Sequence, residues 1–345
     1  MRALKNWVLS CASALTVVAS GAAQAQDTID MHAGVYTGSF VSLPIYVGID
    51  AGIFAEHGLN VSTVDFRSAP EATAAMMSGA IDIMGNSVGN LMLLNRQGMD
   101  MVVVIEGYPT PAWAIVVNEG VALPHRAEGY PAMMQDLRGL NIGVPAIGSD
   151  GHNFMRRFFT DAGMNPETDA TFVAAGLGPN ALAAFSAHQL DAIIAIEPVT
   201  TALTGIGGTV MLDLAQDPSV PQFESWTSSV WHTTRAHADE NAEMMHRFQA
   251  AMEESLNFIS DPANRERTAE IWGTYNRSLT TDVLASVLDR LGPLVSPYLN
   301  CEGIANFGQF QVDNGLISDA EKLDCHQLVW SGATQYLRDT ATYLR

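Results

Sequence analysis

The chain has 345 residues, 48% of them hydrophobic and 16% charged, with 37 acidic side chains against 17 basic ones and a net charge of −20. That length is enough for two lobes with cores of their own, and the many apolar residues describe a packed globule instead of an acidic disordered chain. The negative balance excludes nucleic acid as a partner, because a polyanion would be repelled.

Arg2 and Lys5, an apolar stretch from Trp7 to Ala23, and Ala23-Gln24-Ala25 follow the order of a cleavable export signal over residues 1–25. Removing it leaves Gln26 first and takes the balance to −22, since loss of Arg2 and Lys5 leaves 15 basic residues against 37 acidic. Val8-Leu9-Ser10-Cys11 has the look of a lipoprotein box but comes too early to leave an apolar region before it. No later run of about 18 apolar residues occurs, so no membrane span is expected. The mature chain is expected in the periplasm, as a monomer.

From there strands and helices alternate. The pattern predicts a strand over Ile29–Thr37 and a helix from Ser42-Leu43-Pro44 to a glycine stop at His57-Gly58. A strand follows at Leu59–Phe66, a helix at Pro70–Ser78, a strand at Ile81–Gly85 and a helix at Ser87–Gln97. Met101–Glu106 reads as a fully buried strand by its continuous apolar run. Two prolines within Tyr108-Pro109-Thr110-Pro111-Ala112-Trp113 rule out a helix and predict an extended crossing.

The alternation then restarts, with strands at Asn141–Val144, Ala170–Ala174, Ala192–Ile196 and Thr209–Leu214 and helices at Asn153–Ala162 and Asn180–Ala187. Gln222–Thr234 reads as a second crossing, and amphipathic helices follow at Ala238–Ile259, Pro262–Tyr275 and Thr280–Leu291. The expected fold is α/β: lobe 1 over residues 26–112, lobe 2 over 113–228, and a return to lobe 1 over 229–345 as a helical tail. Two crossings suit a clamshell that hinges.

One pattern is written twice, 109 positions apart: residues 71–83 align without gaps on residues 180–192. Each copy is a small-residue helix, a polar break, an Asp and an apolar strand, which is half of a βαβ unit. The copies end near Gly85-Asn86-Ser87 and Glu197-Pro198, so similar lobes are expected to present different groups to a cleft.

Cys301 and Cys325 remain after cleavage. In an oxidising compartment a disulfide clipping a C-terminal loop is expected; two thiols with no ligand-spaced partners make an incomplete metal site. The nine histidines show no metal spacing, and neither a nucleophile elbow nor a phosphate loop occurs.

Residues 39–61, from Ser39-Phe40-Val41-Ser42-Leu43-Pro44 to Leu59-Asn60-Val61, resemble the opening of the sulfonate, nitrate, taurine and thiamine-pyrimidine binding family of ABC-transporter solute receptors. The resemblance continues through Gly79-Ala80-Ile81-Asp82, residues 136–145, Gly148-Ser149-Asp150-Gly151-His152 and Asp191-Ala192 with Glu197-Pro198. It implies a two-lobed type II periplasmic binding protein that closes on a small molecule, docks to an inner-membrane permease and needs neither catalysis nor a cofactor. Ligand sensing for a membrane partner is the alternative. One branch of this superfamily makes the thiamine pyrimidine from pyridoxal phosphate, but Lys322, in the polar C-terminal segment, is the one lysine left after cleavage, so lobe 1 offers none for a Schiff base.

Ligands in open α/β lobes sit beyond the carboxyl ends of strands, against helix N-termini. Phe40 and Ser42 occupy the first such junction, where an aromatic ring and a hydroxyl suit a small ligand and Ser42 also suits a helix cap. Asn86 and Ser87 occupy the second, flanked by glycines that expose backbone donors. Ser149 and Asp150 occupy the third. Relatives that take sulfonate or nitrate favour neutral groups in this loop; Asp150 would repel an anion, and either accepts ligand N–H groups or caps the helix from Asn153. Glu197 either pairs with a ligand nitrogen or lines the cleft wall, and Trp113 is an aromatic wall candidate at the first crossing, with Trp231 at the second. A neutral or nitrogen-bearing ligand, such as a pyrimidine-like heterocycle, is expected over a simple anion.

Overall fold

A computed structural model describes residues 27–109, 112–217, 220 and 226–338. The export signal, with Cys11 and Ala25, lies outside the described residues, as do Thr110, Pro111 and the start of the second crossing. Among the described residues no helix is long and apolar enough to cross a membrane.

Two five-stranded sheets carry the molecule. Sheet 1 contains β1 (Ile29–Tyr36), β2 (Leu59–Phe66), β3 (Ile83–Ser87), β4 (Met101–Tyr108) and β10 (Ser229–Thr234), in the order β2-β1-β3-β10-β4. Sheet 2 contains β5 (Trp113–Val117), β6 (Asn141–Val144), β7 (Thr171–Ala174), β8 (Ala192–Ile196) and β9 (Thr209–Asp213), in the order β7-β6-β8-β5-β9. The first three strands of each sheet are parallel, and the fourth position is an antiparallel strand that the chain lays down after changing lobe. The second crossing, read from sequence as merely extended, therefore ends as an interior strand of sheet 1. Trp231 within it is fully buried against Phe248 and is no cleft wall.

The doubled pattern falls on α3 (Ala69–Met77) with β3 and on α6 (Pro179–Ser186) with β8. Its aspartates perform one task twice. Asp82 Oδ2 accepts the His32 N–H at 2.7 Å, and Asp191 Oδ2 accepts the Asn141 N–H at 2.8 Å, so each copy is tied to the strand beside it. The correspondence reaches further. A Cβ at Gly34 would meet Ile81 Cδ1 at 2.7 Å, and one at Gly143 would meet Leu190 Cδ1 at 2.7 Å. In each lobe a glycine on the strand beside the repeat makes room for the apolar residue before the aspartate. Gly79 ends the first copy's helix in the left-handed conformation at φ 76°, and His188 holds the matching place at φ 52°.

Three helices differ from the sequence expectation. The segment expected as one helix from Ser42 to His57 is a 3₁₀ turn, α1 (Leu43–Asp50) and α2 (Ile53–Glu56), because Gly52 sits at φ 82° and stops the first run. The helix expected from Asn153 begins earlier, as α5 (Asp150–Asp161), with Ser149 as its cap. The long tail helix breaks at Asn241 into α8 (Arg235–Glu240) and α9 (Ala242–Ser260).

The rest of the tail is α10 (Arg265–Tyr275), α11 (Thr281–Leu291), the short strand β11 (Leu299–Asn300), α12 (Cys301–Asp313), α13 (Cys325–Leu328) and β12 (Leu337–Arg338), which pairs with β11. Cys301 and Cys325 are disulfide-bonded, which fixes the start of α12. α12 serves both lobes. In lobe 1 its Phe307 fills the space over Gly89, where a Cβ would come within 1.8 Å of the ring. In lobe 2, Phe154 of α5 packs against Phe307 and Phe310 with ring centroids at 6.2 and 5.3 Å.

Candidate functional site

A cavity of about 500 Å³ lies between the lobes, within the range that holds an organic ligand. Lobe 1 contributes α3, the end of β3 and one face of α4 (Val88–Arg96); lobe 2 contributes Trp113, Ile196 and the loop from Pro145 to Asp150.

Of the sequence-predicted residues, Asn86, Ser87, Trp113, Ser149 and Asp150 line this cavity. Asn86 is 9% exposed, and its Nδ2 donor is buried in the wall without a partner. Ser87 caps α4, accepting the Asn90 N–H at 3.1 Å, and its hydroxyl helps to hold the Asp150 carboxyl down. Trp113 packs edge-on to Phe154 and lies over Gly151, where a Cβ would come within 3.1 Å of the indole. Ser149 turns back to its own loop, donating to the Ala146 carbonyl at 2.7 Å while capping α5 through the His152 N–H.

Asp150 dominates the electrostatics. It is 9% exposed, and burial pushes its carboxyl up to about 6 against the opposing hydrogen bond from Ser87. Since Ser149 caps α5, the capping alternative for Asp150 falls away. Tyr36 stands nearby; burial, and then the Asp150 charge, raise its phenol. No Lys, Arg or His is among the described residues lining the cavity, so nothing cationic compensates Asp150 there.

The other candidates lie elsewhere. Phe40 is buried between Tyr108 and Trp272, with centroids at 5.3 and 5.7 Å, and does not line the cavity. Ser42 is 1% exposed and spends its hydroxyl on the backbone of Tyr36, accepting the N–H at 2.9 Å and donating to the carbonyl at 3.1 Å. Both belong to the support behind the wall.

Glu197 is diverted more completely. It is ion-paired to Arg290 of α11 and accepts from Thr201 at 3.0 and 3.1 Å, facing a separate cavity of about 200 Å³. Arg290 also reaches Asp213 at 3.5 Å, so the tail is tied to lobe 2 at two carboxylates. Gly89, read as exposing backbone donors, is instead covered by Phe307.

Sequence reasoning missed Thr73 and Tyr108. Both are buried, both line the cavity, and both hydroxyls lack a partner. Thr73 shares a helical face with Ala69, Pro70 and Met77, a spacing that marks it as cleft-facing once one member is placed. Tyr108 stands at the end of β4, the kind of strand end where ligands collect, but its place beside two prolines drew attention to the turn alone.

The lone lysine is accounted for away from the cleft, with Lys322 Nζ 2.7 Å from Asp319 and donating to Gln309. Among the described residues no cluster of three His, Cys, Asp or Glu side chains is placed to hold a metal ion.

Solved structures share this architecture. A protein of Bordetella bronchiseptica superimposes with a TM-score of 0.75 at 20% identity, covering 89% of this chain and 96% of that one. The periplasmic aliphatic sulphonate binding protein SsuA of Escherichia coli matches with a TM-score of 0.66 at 22% identity, over 88% of this chain and 98% of that one. The periplasmic nitrate-binding protein NrtA of Synechocystis matches with a TM-score of 0.68 at 12% identity, over 90% and 86%. No curated protein sequence matches the chain. The fold is that of periplasmic solute-binding proteins, with two α/β lobes and a helical C-terminal segment. The model of the NMT1-like family matches residues 36–273, well over half of the chain, and the protein belongs to that family.

Proposed function

We propose that the protein is an exported solute receptor for an ABC importer, that it closes its lobes on a small molecule carrying N–H donors, and that it presents the closed form to an inner-membrane permease. The observation that carries this reading is Asp150, a carboxylate buried at the seam between the lobes in a cavity whose described lining has no cation. A buried charge without a counter-charge is costly unless its binding partner supplies one. An ammonium group, or a nitrogen heterocycle bearing an amine, does so.

SsuA and NrtA are named for sulphonate and nitrate binding. Here the Ser149 hydroxyl spends its proton on the Ala146 carbonyl, and Asp150 stands in the first turn of α5 where an oxyanion would otherwise sit. The same neighbours support a receptor over an enzyme, and Lys322 is paired with Asp319 and does not line the cavity. Export follows from residues 1–25.

Native mass spectrometry of protein purified from the periplasm tests the reading. A nitrogen-bearing small molecule is expected on the wild type and absent from Asp150→Ala. A sulfonate or nitrate carried equally by both would sink it.

A further inference from the structure

The cavity is not a compact hole around Asp150. It runs from the lobe seam into a trough between α3 and α4, bounded by Ala69, Pro70 and Ala74 on one side and by Leu93, Leu94 and Met99 on the other. The α4 wall from Asn90 to Gln97 amounts to about 10 Å of helix. Asp150, Asn86 and Tyr108 come from the loop and strand ends at the seam, while the trough is walled mainly by apolar side chains. A nitrate ion, or a bare ammonium, would occupy a small part of about 500 Å³ and leave the trough to water.

We infer that the ligand has two parts, a nitrogen-bearing head held at the seam by Asp150 with Asn86, and an apolar body of chain or ring carbons lying in the trough between α3 and α4. The inference rests on the receptor reading above and adds the chemical class of what is carried. The head supplies N–H groups and a positive charge to the carboxylate, which satisfies the buried group. The body displaces water from the trough and gains from apolar burial. Two exposed apolar side chains, Met77 of lobe 1 at 53% exposure and Ile147 of lobe 2 at 61%, border the same cavity from opposite lobes. They are the surfaces that such a body can cover when the lobes hold it.

Calorimetry with butylamine, hexylamine and octylamine, and with the matching alkanesulfonates, tests this on the full mature protein and on Ala74→Trp. Ala74 is an exposed helix position on the trough wall, so the larger ring fills the trough without entering the core. The expected result is amine affinity that rises along the series, by up to roughly fourfold per buried methylene. Ala74→Trp is expected to flatten that rise while still binding butylamine, with an unchanged circular dichroism spectrum. Amine binding that ignores chain length, or a rise that survives in Ala74→Trp, overturns the trough assignment and leaves the head-group reading standing. Binding of sulfonates with none of amines overturns both, as does failure of octylamine to bind at millimolar concentration.

Discussion

Lobe 1 and lobe 2 are built alike and end differently. Inside the sheets the agreement is residue by residue: Gly34 under Ile81 matches Gly143 under Leu190, and Asp82 ties β1 as Asp191 ties β6. Beyond the strand ends the agreement stops. β3 runs out into Asn86 and Ser87, which face the ligand cavity, whereas β8 runs out into Glu197, which faces Arg290. Positions that must fit under a neighbour keep their residue type, because a single extra carbon there collides. Positions past the last hydrogen-bonded pair carry no such duty, and there the lobes have divided the tasks of holding ligand and holding the tail.

Three experiments press on that division. The largest effect is expected at Asp150. Its carboxyl stands near 6 in the folded protein against 3.8 ordinarily, so the folded state holds the proton more tightly than the unfolded chain. Its burial therefore costs nothing below about pH 4, costs more as pH rises through 6, and levels off near 3 kcal/mol for a shift of about two units. Asp150→Asn should stabilise the ligand-free protein by up to that amount at pH 8 and by almost nothing at pH 4, measured by urea unfolding. Equal stabilisation at both pH values would show that its charge is not the cause.

A smaller effect separates the two strand ends. Arg290→Ala strands Glu197, which is 4% exposed, and should cost about 2 kcal/mol; this is less than for a fully buried pair because the arginine keeps a third of its side chain in solvent. Asn86→Ala should leave the melting temperature within a degree or two and weaken ligand binding. If the two substitutions act alike on both readouts, the division of tasks is wrong.

The smallest effect concerns the helix ends. Gly79 takes a left-handed conformation freely, while His188 takes it at a cost of about 1 kcal/mol. His188→Gly should gain up to that amount and Gly79→Ala should lose a similar amount, both read by chemical denaturation.

The frame was legible from sequence because it is written in periodicity. The gapless repeat, the alternation of strand and helix, and Asp150 in the loop before α5 all rest on short spans of chain. What stayed hidden depends on distant partners. Glu197 looked free for a ligand because Arg290 is 93 residues away. Ser42 looked like a cap or a ligand group because its bond to Tyr36 runs backward into the preceding strand. Gly89 read as an open donor because nothing local announces Phe307 above it. Thr73 and Tyr108 gained meaning only once the cavity had placed them beside Asn86.

The position of β10 bears on the order in which the molecule can come together. β3 and β4 each pair with β10 and not with one another, so until residues 229–234 arrive sheet 1 has a gap one strand wide. Sheet 2 draws all five strands from one continuous stretch, 113–213, and has no such gap to wait for. Lobe 2 can thus close on contacts of its own, while lobe 1 must bridge a loop as long as that whole lobe and meet the larger closure entropy. The lobe that emerges first from the ribosome is the one that must be finished last.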